Sequence, residues 1–277
     1  VHFGGGSALA SAQASEDYVG RWWRERRVPR GELFLATRIL LDGARTGGGA
    51  KLEQSVRAAG EAALRRLRTD HLDLLLLEWG GAAGAIDDLL VGLARLRRAG
   101  LIRFFGAGGL PAWRVMEALH RAAQRDTDRF EVVQADFSLL AQSRVERDVL
   151  DVCRSYRLGF LARSPLGGGL LASSSADEFA AGSPGRRVAA AEPSPVRAAL
   201  AEIAARHDAS IARVALAWVL AQRDVSAPVV GIASQAQLRD LVTAGALTLS
   251  ADDLDTLTRT ASRPAVRSPQ PSTLISL

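Results

Sequence analysis

The chain has 277 residues, 48% of them hydrophobic, and a formal net charge of +5. It is long enough to bury one large core, and no apolar run reaches the roughly 18 residues a membrane span needs. Lys51 is the sole lysine, the arginine clusters Arg24-Glu25-Arg26-Arg27 and Arg97-Arg98 are too short for a nucleic-acid face, and a lone Cys153 excludes an internal disulfide and fits a reducing cytoplasm.

No secretory signal is visible at Val1-His2-Phe3. Val1 to Gly6 reads as a short strand with a glycine-rich end, and Glu16 to Arg26 as a helix with Ser15 as its N-cap. Glu32 to Thr37 is the next strand and Asp42 to Ala50 a glycine-rich loop. Val56, Ala59, Ala63 and Leu67 share one face of a helix over Leu52 to Arg68. Leu72 to Leu77 is an unbroken leucine-rich run, as in a strand buried on both faces. Ile86 to Arg98 is a helix ended by Gly100, and Leu101 to Phe105 a strand. Helix and strand then alternate: Pro111 to Gln124, Val132 to Ala135, Val145 to Tyr156, Gly159 to Ala162.

Ala172 to Pro195 is rich in Ser, Gly, Ala and Pro and reads as a mobile loop. Val196 to His207 and Ile211 to Arg223 are helices, Pro228 to Val230 the last strand, and Gln235 to Ala244 a helix. Ser250 to Ala261 adds a helix with a Ser-x-x-Asp start, and a Pro- and Ser-rich tail runs from Arg263. The alternation predicts a parallel sheet in a single domain over 1–277, with 263–277 as a loop across its mouth. Seven candidate strands are present.

The leucine-rich strand begins after Thr69-Asp70-His71 and leads into Glu78-Trp79. The last residue of such a strand faces the active-site mouth in a β/α barrel, so Glu78 stands where chemistry is expected. Here the motifs become specific. Leu67-Arg68-Thr69-Asp70-His71-Leu72-Asp73-Leu74 resembles the Leu-x-Thr-Asp-x-x-Asp-Leu strand of the aldo-keto reductases. Ser15-Glu16 with Val19-Gly20, Phe34-Leu35-Ala36-Thr37-Arg38, Gly100-Leu101-Ile102-Arg103-Phe104-Phe105-Gly106, Ser164-Pro165-Leu166 with Gly169-Leu170-Leu171, Val214 to Leu220, and Gly231 with Gln237-Leu238 resemble further family motifs in order. The resemblance implies an α/β fold, a (β/α)8 TIM barrel. The first β/α unit is missing from the sequence, or residues have been dropped near Gly6.

It also implies carbonyl reduction with NADPH. A Tyr protonates the carbonyl oxygen, a Lys paired with an Asp lowers the Tyr pKa, and a His orients the substrate. Here the Asp and Tyr positions fall at Gly5 and Ala10, the Lys at Arg38 and the His at Glu78. Replacement of all four on a preserved scaffold leads to the expectation of a non-redox enzyme. It would carry out dehydration, isomerisation or cyclisation of a small carbonyl compound, with Glu78 as acid/base and Arg38 holding an oxyanion. Two alternatives stand beside it: an NAD(P)H-dependent carbonyl or enoyl oxidoreductase with an altered site, and a non-catalytic binding or regulatory protein. The steroid 5β-reductase branch, which reduces a double bond, also carries Glu at the His position. Arg38 and Glu78 could instead form a structural ion pair.

For a nucleotide, NADP(H) or NAD(H), the resemblance assigns Gln134 to the carboxamide and Phe137 to ring stacking. Ser164 and Leu166 with the glycines after them fall to the pyrophosphate, and Gly231, Ser234 and Gln237 to the adenosine end. The family's Ser-Asn pair is replaced by Gly108-Gly109, and no Arg or Lys lies between Gly231 and Gln237 for a 2′-phosphate, Arg239 being nearest. Asp136 and Arg163 could line the mouth. The four His residues and Cys153 show no metal-ligand spacing. The expected partner is a small-molecule substrate, with no nucleic acid and no membrane; the oligomeric state is open.

Overall fold

Seven apolar runs pair into one parallel sheet in the computed structural model, which describes residues 2–3, 9–41, 49–79, 86–141, 144–172, 195–232 and 234–262. The residues cluster into two units. One comprises Val1–Asp136, Ser143–Ser164 and Gln222–Gly231; the other comprises Phe137–Gln142, Pro165–Ala221 and Ile232–Leu277.

The first unit holds the whole sheet: β1 (His2–Phe3), β2 (Ala36–Leu41), β3 (Leu72–Trp79), β4 (Ile102–Gly108), β5 (Val132–Asp136), β6 (Gly159–Arg163) and β7 (Ala227–Val229). Helices α1 (Leu9–Glu25), α2 (Ala50–Leu67), α3 (Ile86–Arg98), α4 (Ala112–Gln124) and α5 (Arg144–Tyr156) follow β1 to β5 in turn. The strands lie in chain order, each parallel to the next. That is the singly wound order of a β/α barrel; a doubly wound sheet reverses its order partway.

Register decides which side chains meet. Arg38 pairs with Leu76, Leu76 with Gly106, Gly106 with Val132, and Val132 with Gly159. With a side-chain period of two, Arg38, Glu78, Gly108, Gln134, Asp136 and Arg163 share one face, near the C-terminal ends of their strands. The opposite face carries Leu75, Leu77, Phe105 and Val133, all fully buried. Leu75 lies beneath Gly60 of α2.

Three sequence expectations shift. The second strand is Ala36–Leu41 rather than Glu32 to Thr37, with a 3-10 turn at Arg30–Glu32 before it. The apolar run from Leu33 to Leu41 offers several windows, and pairing with β3 selects the later one. Helix α1 starts at Leu9, so Ser15 lies inside it rather than at its N-cap. Strands β3 and β4 continue through Trp79 and Gly108, past the apolar stretch that marked them in the sequence. The expected loop after Leu41, the Ala172 to Pro195 loop, the tail from Arg263 and the position of Gly5 lie largely or wholly outside the described residues.

Close helix packing rests on a glycine. A Cβ on Gly20 of α1 would lie 2.2 Å from the Arg66 carbonyl oxygen and 2.8 Å from the Leu67 carbonyl carbon of α2. Gly20→Ala is therefore expected to cost about 1–3 kcal/mol by forcing α1 off α2. Urea unfolding measures it, and an unchanged midpoint would contradict this packing. Beside it, Trp23 is buried and donates its indole N–H to the Leu67 carbonyl at 2.9 Å, while Trp22 faces solvent.

The second unit carries α6 (Pro195–Arg206), α7 (Ile211–Leu220), α8 (Gln235–Val242) and α9 (Ala251–Ser262). Trp218 of α7 is 1% exposed, stacks on Phe137 with ring centroids 5.7 Å apart, and donates to Thr258 Oγ1 at 3.1 Å. Asp253 ties α9 to α6. It is 1% exposed, accepts from the Ser250 amide and hydroxyl, and faces His207 Nε2 at 3.0 Å and Arg206 Nη2 at 2.8 Å. Burial raises the Asp253 pKa, but these hydrogen bonds and Arg206 outweigh it and bring the pKa down to about 2. The folded value lies below the unfolded value of 3.8, so the stabilisation is complete above that pH and is lost as pH falls toward 2. It amounts to about 2 kcal/mol. Asp253→Asn is expected to flatten this part of the acid-unfolding curve; a mutant curve parallel to wild type would refute the assignment. Among the described residues, no helix is long and apolar enough to cross a membrane.

Candidate active site

Four charged side chains meet where β2, β3, β5 and β6 approach their C-terminal ends. Arg38 Nη1 lies 2.6 Å from Glu78 Oε2. Arg163 holds Asp136 with two parallel bonds, Nε to Oδ1 at 2.7 Å and Nη2 to Oδ2 at 3.0 Å. The Asp136–Arg163 pair follows directly from register, because these last residues of β5 and β6 stand opposite each other.

The two pairs are near neighbours. A Cβ built on Gly109, just past the end of β4, would lie 3.6 Å from Glu78 Oε1 and 4.0 Å from Arg163 Nη1. One built on Gly108 would lie 3.5 Å from Arg38 Cδ. Both glycines leave room for the charges. Gly109 has φ +68°, where a side chain would also strain the backbone. Arg163, through its two hydrogen bonds, holds the Asp136 carboxyl below the usual carboxylate range; burial opposes this, and Ser164 and Arg38 assist. In return Asp136 raises the Arg163 guanidinium above its ordinary value, with Glu78 adding to the effect. With all four groups ionised the rim is electrically neutral.

Arg38 and Glu78 stand on adjacent strands and form an ion pair. The chain's two tyrosines are elsewhere, Tyr18 exposed on α1 and Tyr156 partly exposed on α5. Lys51 is exposed on α2. His71 pairs with Asp70 before β3, at the far ends of the strands, and His207 with Asp253. Burial pushes the Cys153 thiol up to about 12, so it is no nucleophile. No group of three metal-ligating side chains occurs among the described residues.

Several residues assigned to the nucleotide have other occupations. Gln134 is fully buried on the shared face, beside Gly108, and its main-chain carbonyl accepts the Gly109 amide at 2.8 Å. The expectation for Phe137 needs correcting, because its ring is 5% exposed and stacked on Trp218 in the second unit's core. Ser164 has φ +52° and its side chain bonds Asp136. Leu166 is buried, and its carbonyl accepts the amides of Gly169 and Leu171. Ser234 caps α8 by accepting the Gln237 amide at 3.2 Å. A Cβ on Gly231 would meet nothing within 4 Å.

The glycine turn is left-handed and open. Gly167, Gly168 and Gly169 all have positive φ, and a Cβ on Gly168 would also meet nothing within 4 Å. The amides of Gly169, Leu170 and Leu171 donate within the turn, to the Leu166 and Gly167 carbonyls.

Two features were outside the sequence reading. Arg114 of α4 lies between the rings of Trp79 and Trp113, 4.8 and 4.6 Å from their centroids. An apolar cavity of about 640 Å³ opens on the shared sheet face at the N-terminal ends of the strands, lined by Phe34, Ala36, Leu74, Phe104 and Leu161 among others. Its polar members are engaged, Glu131 by Arg97 and Ser226 by the Phe160 amide. Its carboxylate is thus held by Arg97, and the four charged side chains of the rim stand at the other ends of the strands.

A family model described as "Aldo/keto reductase family" matches residues 11–261. A probable aryl-alcohol dehydrogenase of Saccharomyces cerevisiae is 26% identical over 187 residues, covering 63% of this chain and 56% of that protein. Norsolorinic acid reductase B of Dothistroma septosporum is 28% identical over 165 residues, covering 57% and 42%. The chain thus spans about half the length of the curated relatives it matches. The solved structure of a thermostable aldo-keto reductase, Tm1743, superposes with a TM-score of 0.68 at 24% identity, covering 89% of this chain and 77% of that one, and confirms the barrel fold.

These relatives are named as dehydrogenases and reductases, which overturns the expectation of non-redox chemistry. That expectation rested on the replacement of all four family residues. A general acid supplies only ~10²–10⁴ of an enzyme's rate, so its replacement alone does not exclude hydride transfer.

Proposed function

This chain belongs to the aldo/keto reductase family, and from that premise we propose that it is an NAD(P)H-dependent oxidoreductase of small carbonyl compounds. In this proposal Glu78 and Arg38 act at the reacting centre. The observation that carries it is the Arg38–Glu78 pair at the inward rim of a barrel whose relatives are oxidoreductases. The relatives' names suggest an aromatic carbonyl, or the corresponding alcohol, as substrate. Lone, buried Cys153 supports a cytoplasmic setting.

The nucleotide supplies the hydride when bound. Arg38 polarises the carbonyl and holds the oxyanion that develops there. Glu78, held at Oε2 by Arg38, orients a water that delivers the proton. In the first unit Gln134, Ser164 and Gly231 are assigned to the nucleotide. NADPH and NADH are titrated against tryptophan fluorescence, with oxidation of the nucleotide followed on an aromatic aldehyde. Saturable binding and aldehyde-dependent oxidation are expected; absence of binding at millimolar nucleotide ends the proposal.

A further inference from the structure

The atoms left over at the rim are more informative than the ion pairs themselves. Glu78 uses Oε2 on Arg38, and its Oε1 faces the space that Gly109 leaves. Arg163 uses Nε and Nη2 on Asp136, and Nη1 is the arm nearest that same space. One acceptor and one donor, both charged, therefore flank a single small opening, 3.6 and 4.0 Å from the point where a Gly109 Cβ would stand.

We propose that Glu78 Oε1 and Arg163 Nη1 form a two-point anchor for a neutral hydroxyl on the substrate, and that this pair sets specificity against charged groups at that end. A hydroxyl donates to the carboxylate and accepts from the guanidinium at once. A carboxylate gains Arg163 but sits against Glu78; an ammonium gains Glu78 but sits against Arg163. Arg38 and Asp136 soften the mismatch by their charge, but each is joined to one of the two anchors. The glycine is required because any side chain at Gly109 would fill the opening, as well as strain its φ of +68°.

The inference rests on the proposed function only in placing the substrate at this rim, and its test does not need turnover. Calorimetric titration of the whole protein, with and without NADP⁺, compares phenol, benzoate and benzylammonium, none of which can be reduced. Phenol is expected to bind about tenfold more tightly than either ion, the scale of one charge-assisted hydrogen bond. Arg163→Lys keeps a cation for Asp136 but removes the second guanidinium arm, and is expected to erase most of the phenol preference. Benzamide, which also donates and accepts, should fall with phenol.

Benzoate binding as tightly as phenol, or a preference untouched in Arg163→Lys, overturns the anchor. Binding of none of the probes by a protein that binds nucleotide and reduces an aldehyde also overturns it, leaving the oxidoreductase reading intact. The phenol preference and its loss in Arg163→Lys, in a protein that binds no nucleotide, uphold the anchor and end the oxidoreductase reading.

Discussion

Glu78→Gln is expected to lower kcat for carbonyl reduction by ~10²–10⁴-fold, with nucleotide affinity unchanged. The amide has nearly the shape of the carboxylate but cannot take up or orient a proton in the same way. It also removes the charge facing Arg38, 2.6 Å away. A guanidinium released from its carboxylate binds the carbonyl oxygen more strongly in the ground state as well as in the transition state. KM for the carbonyl should therefore stay level or fall while kcat drops, separating this outcome from simple loss of substrate binding. Circular dichroism controls for folding. A mutant with full kcat would place the proton source elsewhere and make Arg38–Glu78 a purely structural pair.

The second large effect concerns stability. Asp73, its side chain 3% exposed, accepts from the Leu35 amide at 2.8 Å, Arg30 at 2.8 Å and Arg103 at 3.0 Å. It ties the start of β3 to the segment entering β2 and to β4. Burial raises its pKa, but the Leu35 amide, Arg30 and Arg103 more than offset this, so the folded value lies below 3.8. Its stabilisation is therefore present above the unfolded pKa and fades as pH falls below it. Asp73→Asn leaves Arg30 without a counter-charge and puts an amide donor against donors. The expected cost is about 3 kcal/mol, or roughly a 10 °C fall in the unfolding midpoint. Glu61→Gln, which breaks the exposed Arg57–Glu61 pair, should stay within about 0.5 kcal/mol. Equal effects from the two mutations would contradict the difference in burial.

Much of this architecture was legible in the residues. The leucine run at Leu72 to Leu77 has one reading because it is apolar on both faces, and Ile86 to Arg98 matches its helix to the residue. Strand ends were harder. Glu78, Gly108, Asp136 and Arg163 are polar or lack side chains, so apolar patterning stopped short of them. Asp136 and Arg163 could be placed at strand ends but not joined. Their pairing depends on the β5–β6 register, which aligning the ends of Val132–Asp136 and Gly159–Arg163 would have suggested. Phe137 looked like a free aromatic beside the mouth, yet Trp218, 81 positions later in the chain and in the same unit, covers it. The expectation of non-redox chemistry came from reading the replaced residues alone, whereas the relatives are named as dehydrogenases and reductases.

Transfer of isotope tests the central claim most directly. The protein is incubated with an aromatic aldehyde and NADPH deuterated on the transferring face of its nicotinamide, and the alcohol is analysed by mass spectrometry. One deuterium on the carbinol carbon is predicted, with the rate of its appearance reduced ~10²–10⁴-fold in Glu78→Gln. Product without deuterium, or none at all from a protein that binds the nucleotide, would contradict hydride transfer at this site.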